Sequence, residues 1–117
     1  MAWTAEFAAE AEHDFGLIFD HLLEAYTALG DPLPAAFERA EARLEAIREA
    51  ALTLASAPHR GTKRDAIAPG LRTVTIDRAV FWFDLDEKAR KVRVLAIFFG
   101  GQDHQRHMLI RLLGRPG

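Results

Sequence analysis

Three runs of β-forming residues, joined by links too short for a crossover, constrain this chain more than any other feature. Leu71–Ile76, Arg78–Leu85 and Lys91–Phe99 are six to nine residues long and rich in β-branched and aromatic side chains. Asp77-Arg78 leaves room only for a tight turn between the first two, and Asp86–Arg90 makes a charged loop before the third. A parallel return would need a dozen residues or more, so the three runs form an antiparallel meander. In the first run Arg72, Val74 and Ile76 share one face and Leu71, Thr73 and Thr75 the other. The third run is apolar on both faces from Val94 to Phe99, which places it centrally with cover on both sides. Gly100-Gly101 ends it.

The cover is helical. Ala2–Phe7 alternates weakly and can add an edge strand. From Ala8 the spacing changes: Ala8, Ala11, Phe15, Ile18, Leu22, Tyr26 and Leu29 paint one helical face, with Glu10, Glu12, Asp14, Asp20 and Glu24 mostly off it. Gly30 suits the residue just past the helix end. Asp31-Pro32 then starts a second helix, with Asp31 as its cap. Phe37, Ala40, Leu44, Ile47, Ala51 and Leu54 form its apolar stripe. The short gap makes the pair an antiparallel hairpin whose stripes rest on the sheet. Residues 57–65 read as a loop. After Gly100-Gly101, Asp103 can cap a last helix that buries Met108, Leu109, Leu112 and Leu113 on the second sheet face and ends at Gly114. The reading is one α+β domain over residues 1–117: N-terminal strand, α-helical hairpin packed on an antiparallel meander, C-terminal helix.

Charge is divided unevenly. Residues 1–57 hold eleven acids against three bases, and residues 58–117 hold six acids against twelve bases, so a half at −8 and a half at +6 make up the net −2. The division suits either acidic helices lying on a basic sheet or a basic surface for an acidic partner. Arg60, Lys63, Arg64 and Arg72 fall close together. The absence of cysteine excludes disulfides and thiolate metal sites and points to a reducing, cytoplasmic setting. No apolar run reaches membrane-spanning length, and the start lacks a signal pattern.

Few residues offer chemistry. His104 and His107, three apart on the last helix, are the catalytic candidates: a histidine of near-neutral pKa can move a proton from a ribose 2′-hydroxyl while Arg72 or Lys63 steadies the phosphate. Solvated histidines at a helix start are the plainer reading. With Asp103 they lack a further ligand, so no metal is expected, and no dinucleotide or phosphate-loop motif calls for a cofactor. Phe81, Trp82, Phe83, Phe98 and Phe99 must alternate between faces. They serve as core, as a base-stacking surface, or, on an uncovered face, as an apolar strip for a partner.

The chain resembles the RelE/ParE family of toxins from type II toxin–antitoxin pairs. The residues that carry this are Ala11-Glu12-His13-Asp14-Phe15-x-x-Ile18, Pro58-x-x-Gly61, Pro69-Gly70-Leu71-Arg72, Val80-Phe81-Trp82-Phe83, and Val92-Arg93-Val94-Leu95 running into Gly100-x-x-Asp103. The resemblance implies a toxin held inactive by a cognate, ParD-like antitoxin, which would also supply any contact with operator DNA. It implies one of two targets: DNA gyrase for the ParE branch, bound without an active site, or ribosome-bound messenger RNA, cut by the RelE branch. A third outcome is a non-toxic assembly module of the same fold. The Pro-Gly-Leu-Arg turn favours the ParE branch, and Gln102 and Met108 stand where the nucleases usually carry arginine and tyrosine. Phe99-Gly100-Gly101-Gln102-Asp103 also departs from the ParE pattern. The expected target- or antitoxin-binding residues are Arg60, Lys63, Arg64, Arg72, Trp82, Arg93 and Arg106.

Overall fold

A computed structural model describes residues 2–100 and 104–113. The order is β1 (Thr4–Phe7), α1 (Ala9–Ala28), α2 (Leu33–Leu52), β2 (Thr62–Lys63), β3 (Arg72–Ile76), β4 (Ala79–Asp86), β5 (Lys91–Phe99) and α3 (His104–Leu113), with a short 3₁₀ turn, Thr53–Ser56, after α2. The sheet order is β1-β5-β4-β3-β2. The meander and both helices of the hairpin are where the sequence puts them. β1 joins parallel to β5, because the hairpin supplies the long crossover that a parallel return requires.

Asp77 and Arg78 form the β3–β4 turn, both at positive φ (49° and 71°), as the two central residues of a type I′ hairpin must be. In β5 the register against β4 slips between Trp82 and Phe83, so that Leu95 is an extra residue. Val92, Val94, Ile97 and Phe99 then face the hairpin, while Leu95, Ala96 and Phe98 face the other way. Without that slip, a strict alternation would send Ile97 to the wrong layer.

Two apolar layers result. On one face Ala11, Phe15, Ile18 and Leu22 of α1 and Ala40, Ile47 and Ala51 of α2 bury Phe81, Phe83, Val92, Val94 and Ile97. On the other, Met108 and Leu112 of α3, with Ile67, Ala68 and Leu71, cover Val80, Trp82, Ala96 and Phe98. Phe81, Trp82 and Phe83 are fully buried. Such burial contributes about 1.5–3 kcal/mol for each large side chain.

Several expectations give way. α1 starts beside Val94, midway along β5, so its far end overhangs the sheet: Leu29 is exposed, and Phe37 of α2 is only partly sheltered, by an edge-on contact with Phe19. Asp31 does not cap α2. Pro32 holds that position, and the Asp31 carboxylate is ion-paired with Arg39. The Asp31 and Gly30 amides instead close α1 on the Tyr26 and Thr27 carbonyls, with Gly30 at φ 105°. Asp14, expected off the apolar face, is buried. The segment 57–65, expected as a loop throughout, contains β2, which pairs Thr62 and Lys63 with Thr73 and Arg72.

Gly61 allows that pairing. Its φ is 89°, and a Cβ there would lie 2.6 Å from the Thr73 carbonyl oxygen. Gly61→Ala should therefore cost about 1–3 kcal/mol through backbone strain. Thermal unfolding checks this, and an unchanged melting temperature would show that β2 is not held against β3.

Candidate binding surfaces

The loop after α2 crosses the lower end of the sheet and gathers part of the expected basic cluster. His59 anchors it: its Nε2 lies 2.9 Å from Glu87 Oε1, its ring meets Trp3 edge-on, and its carbonyl accepts a 2.8 Å bond from Arg72 Nη1. Lys63 stands opposite Arg72 across the β2–β3 ladder. The Arg64 amide donates to the Leu71 carbonyl at 2.7 Å. Arg60 is exposed on the same loop. A cleft of about 230 Å³ opens here between Lys63, Asp65, Gly70, Arg72, Leu85 and Glu87. Two acids thus face two bases in the cleft, and the surface is mixed rather than purely cationic.

The remaining expected residues separate. Trp82 is fully buried, so the structure corrects its place on a binding surface: α3 and the 67–71 segment lie over it, because an indole on the second face has the apolar Met108 to pack against. Arg93 is exposed on the same face but is held by Asp84, its cross-strand partner, through two bonds of 2.8 Å. The hydrogen bonding and charge of Asp84 raise the Arg93 pKa above its ordinary value. His104, Arg106 and His107 occupy the first turns of α3, and their side chains lie outside the described residues. Among the described residues no group of histidines and acids could hold a metal ion.

The arrangement that sequence reasoning missed joins α1 to α3. Asp14 on α1 accepts 3.0 and 2.8 Å bonds from the two terminal nitrogens of Arg111 on α3, and a 2.9 Å bond from the Ile97 amide. Arg111 also lies 5.3 Å from the Phe98 ring centroid. The hydrogen bonds that Arg111 donates to Asp14 raise its pKa, against the opposing effect of burial. A signal existed: Ala11, Asp14, Ile18 and Leu22 step by 3, 4 and 4, which sets Asp14 within the apolar stripe. Beside the pair lies a largely apolar cavity of about 260 Å³ lined by Leu17, Ile18, His21, Ile97, Phe98 and Phe99.

A strand, a helical hairpin, an antiparallel meander and a C-terminal helix define a fold of known occurrence. A chain of the chromosomal ParDE toxin–antitoxin system from P. aeruginosa superposes with a TM-score of 0.62 at 22% identity, over 84% of this chain and 96% of that one. A chain of the toxin–antitoxin complex RelBE2 from Mycobacterium tuberculosis superposes with a TM-score of 0.57 at 15% identity, over 86% and 100%. At these identities the likeness is one of fold. No family model matches the chain, and no curated protein does.

Removing one partner of the buried pair leaves the other charge uncompensated. Asp14→Ala should cost about 3–5 kcal/mol, whereas replacing both residues, Asp14→Leu with Arg111→Met, should recover much of that loss. Chemical denaturation of the two variants and the wild type checks this. A double variant no more stable than Asp14→Ala would contradict it.

Proposed function

We propose that this chain is the toxin of a type II toxin–antitoxin module, held inactive in the cytoplasm by a cognate, ParD-like antitoxin. The observation that carries the reading is the shared fold: nearly the whole length of a ParDE chain is covered, with the same order of strand, helical hairpin, sheet and C-terminal helix. No helix among the described residues is long and apolar enough to cross a membrane.

Within that reading the target is DNA gyrase, and inhibition is by binding. The Pro69-Gly70-Leu71-Arg72 turn supports this, because it presents Arg72 and Lys63 side by side at the lower end of the sheet. A guanidinium there can grip a carboxylate or phosphate with two parallel hydrogen bonds. Arg60, Lys63, Arg64 and Arg72 are the residues assigned to this contact, with Arg106 at the start of α3. Arg93 contributes only if Asp84 releases it. The competing reading, a ribosome-dependent endoribonuclease using His104 and His107, draws on the likeness to the RelBE2 chain.

Expression of the chain alone should arrest growth, and co-expression of the adjacent reading frame should relieve it. Lys63→Gln with Arg72→Gln should weaken the arrest and the inhibition of gyrase supercoiling, while His104→Ala with His107→Ala leaves both intact. Loss of messenger cleavage with the histidines, by a typical factor of about 10²–10⁴, and no effect on gyrase would establish the ribonuclease instead. No arrest at all would leave a non-toxic module of the same fold.

A further inference from the structure

The opposite end of the sheet carries a second cationic feature that the toxin reading does not use. Arg43 of α2 and Arg78 of the β3–β4 turn converge on Phe99, their guanidinium carbons 5.3 and 5.8 Å from its ring centroid. Arg43 also donates to the Asp77 carbonyl at 2.6 Å. Arg39 and Arg48, one turn before and one turn after on the same helix, are ion-paired with Asp31 and Glu12. Among the described residues neither Arg43 nor Arg78 has a carboxylate within ion-pair distance, Asp77 included. Two like charges are thus brought to one ring with no carboxylate of the described residues paired to either.

The backbone adds a second sign. Arg78 sits at φ 71°, in the left-handed region that a type I′ turn demands and that glycine or asparagine fills at less cost. The turn thus carries a guanidinium at a position where the backbone alone is better served by glycine or asparagine.

Phe99 also lines the apolar cavity with Leu17, Ile18 and Ile97, so the arginine pair and the cavity adjoin. We propose that Arg43, Arg78 and this cavity form a docking site for an extended peptide segment of a protein partner, one that carries an aspartate or glutamate beside a leucine-, isoleucine- or phenylalanine-sized side chain. The carboxylate lies between the two guanidiniums and the apolar side chain fills the cavity. A nucleic acid fits less well: its phosphates recur at every residue, and the neighbouring helix α1 carries Asp20 and Glu24 with no lysine or arginine. A peptide places its single charge where the arginines are and its apolar group where the surface is apolar. Assigning the segment to the antitoxin rests on the toxin reading; the peptide site itself does not.

The test uses the full chain and a random displayed peptide library. Enriched sequences should pair an acid with a large apolar residue. A synthetic representative should bind Arg43→Gln/Arg78→Gln about 10- to 100-fold more weakly than wild type, the usual range for losing charged hydrogen bonds. Leu17→Glu, at the cavity mouth, should weaken it too. Arg78→Gly guards against misfolding: it relieves the turn, so it should melt no lower than wild type and still bind poorly. No enrichment, or equal affinity in the arginine variants, would overturn the site. So would oligothymidylate binding that the arginine variants abolish, which would make it a nucleic-acid surface. Growth arrest by the wild-type chain is scored separately: its absence removes the toxin reading and leaves the peptide result to decide the site.

Discussion

A sheet edge must be closed, and here one carboxylate closes it. β1 pairs with β5 only as far as Val94, after which the chain turns into α1. The upper part of β5 is thereby left with backbone groups on its outer side that need partners. Asp14 takes the Ile97 amide, and the Arg111 guanidinium that grips Asp14 extends toward the Leu95 carbonyl. The same pair ties α3 to α1 across the strand. Met108 and Leu112 are then seated over Trp82 and Phe98, and the second face is covered. An ion pair of this kind adds little net energy over an apolar substitute, and its value lies in fixing where the last helix goes.

That anchoring decides which surfaces remain for partners. With α3 in place, the aromatic strip of the second face is core. What is left are the two ends of the sheet. At the lower end, the loop from α2 brings Lys63 and Arg72 together with Asp65 and Glu87. At the upper end, Arg43 and Arg78 stand beside Phe99 with no ion-paired acid among the described residues. The uneven charge of the chain therefore resolves into local pairs over much of the surface. Arg93 with Asp84 and Lys91 with Glu6 are neutralised on the sheet.

Local patterns made the fold legible. Strand composition, a turn of two residues and the change to helical spacing after Phe7 are properties of neighbouring residues, and each predicted its element. The long-range features were not readable in that way. The parallel pairing of β1, the slip at Leu95 and the two-residue β2 depend on contacts between distant segments. Trp82 illustrates the limit: alternation sets it opposite Phe81 and Phe83, but only the position of α3 tells whether that face meets a partner or the chain's own helix. Asp14 was legible in its spacing, yet its charge argued for solvent until Arg111, ninety-seven residues away, supplied the counter-ion.

Amide hydrogen exchange at Ile97 tests this account most directly. If Asp14 closes the edge, the Ile97 amide exchanges slowly in the wild-type chain. In Asp14→Asn it speeds up together with the amides of α3, while the β3–β4 ladder keeps its protection. Fast exchange of Ile97 in the wild type, or an Asp14→Asn chain in which α3 stays as protected as before, would contradict it.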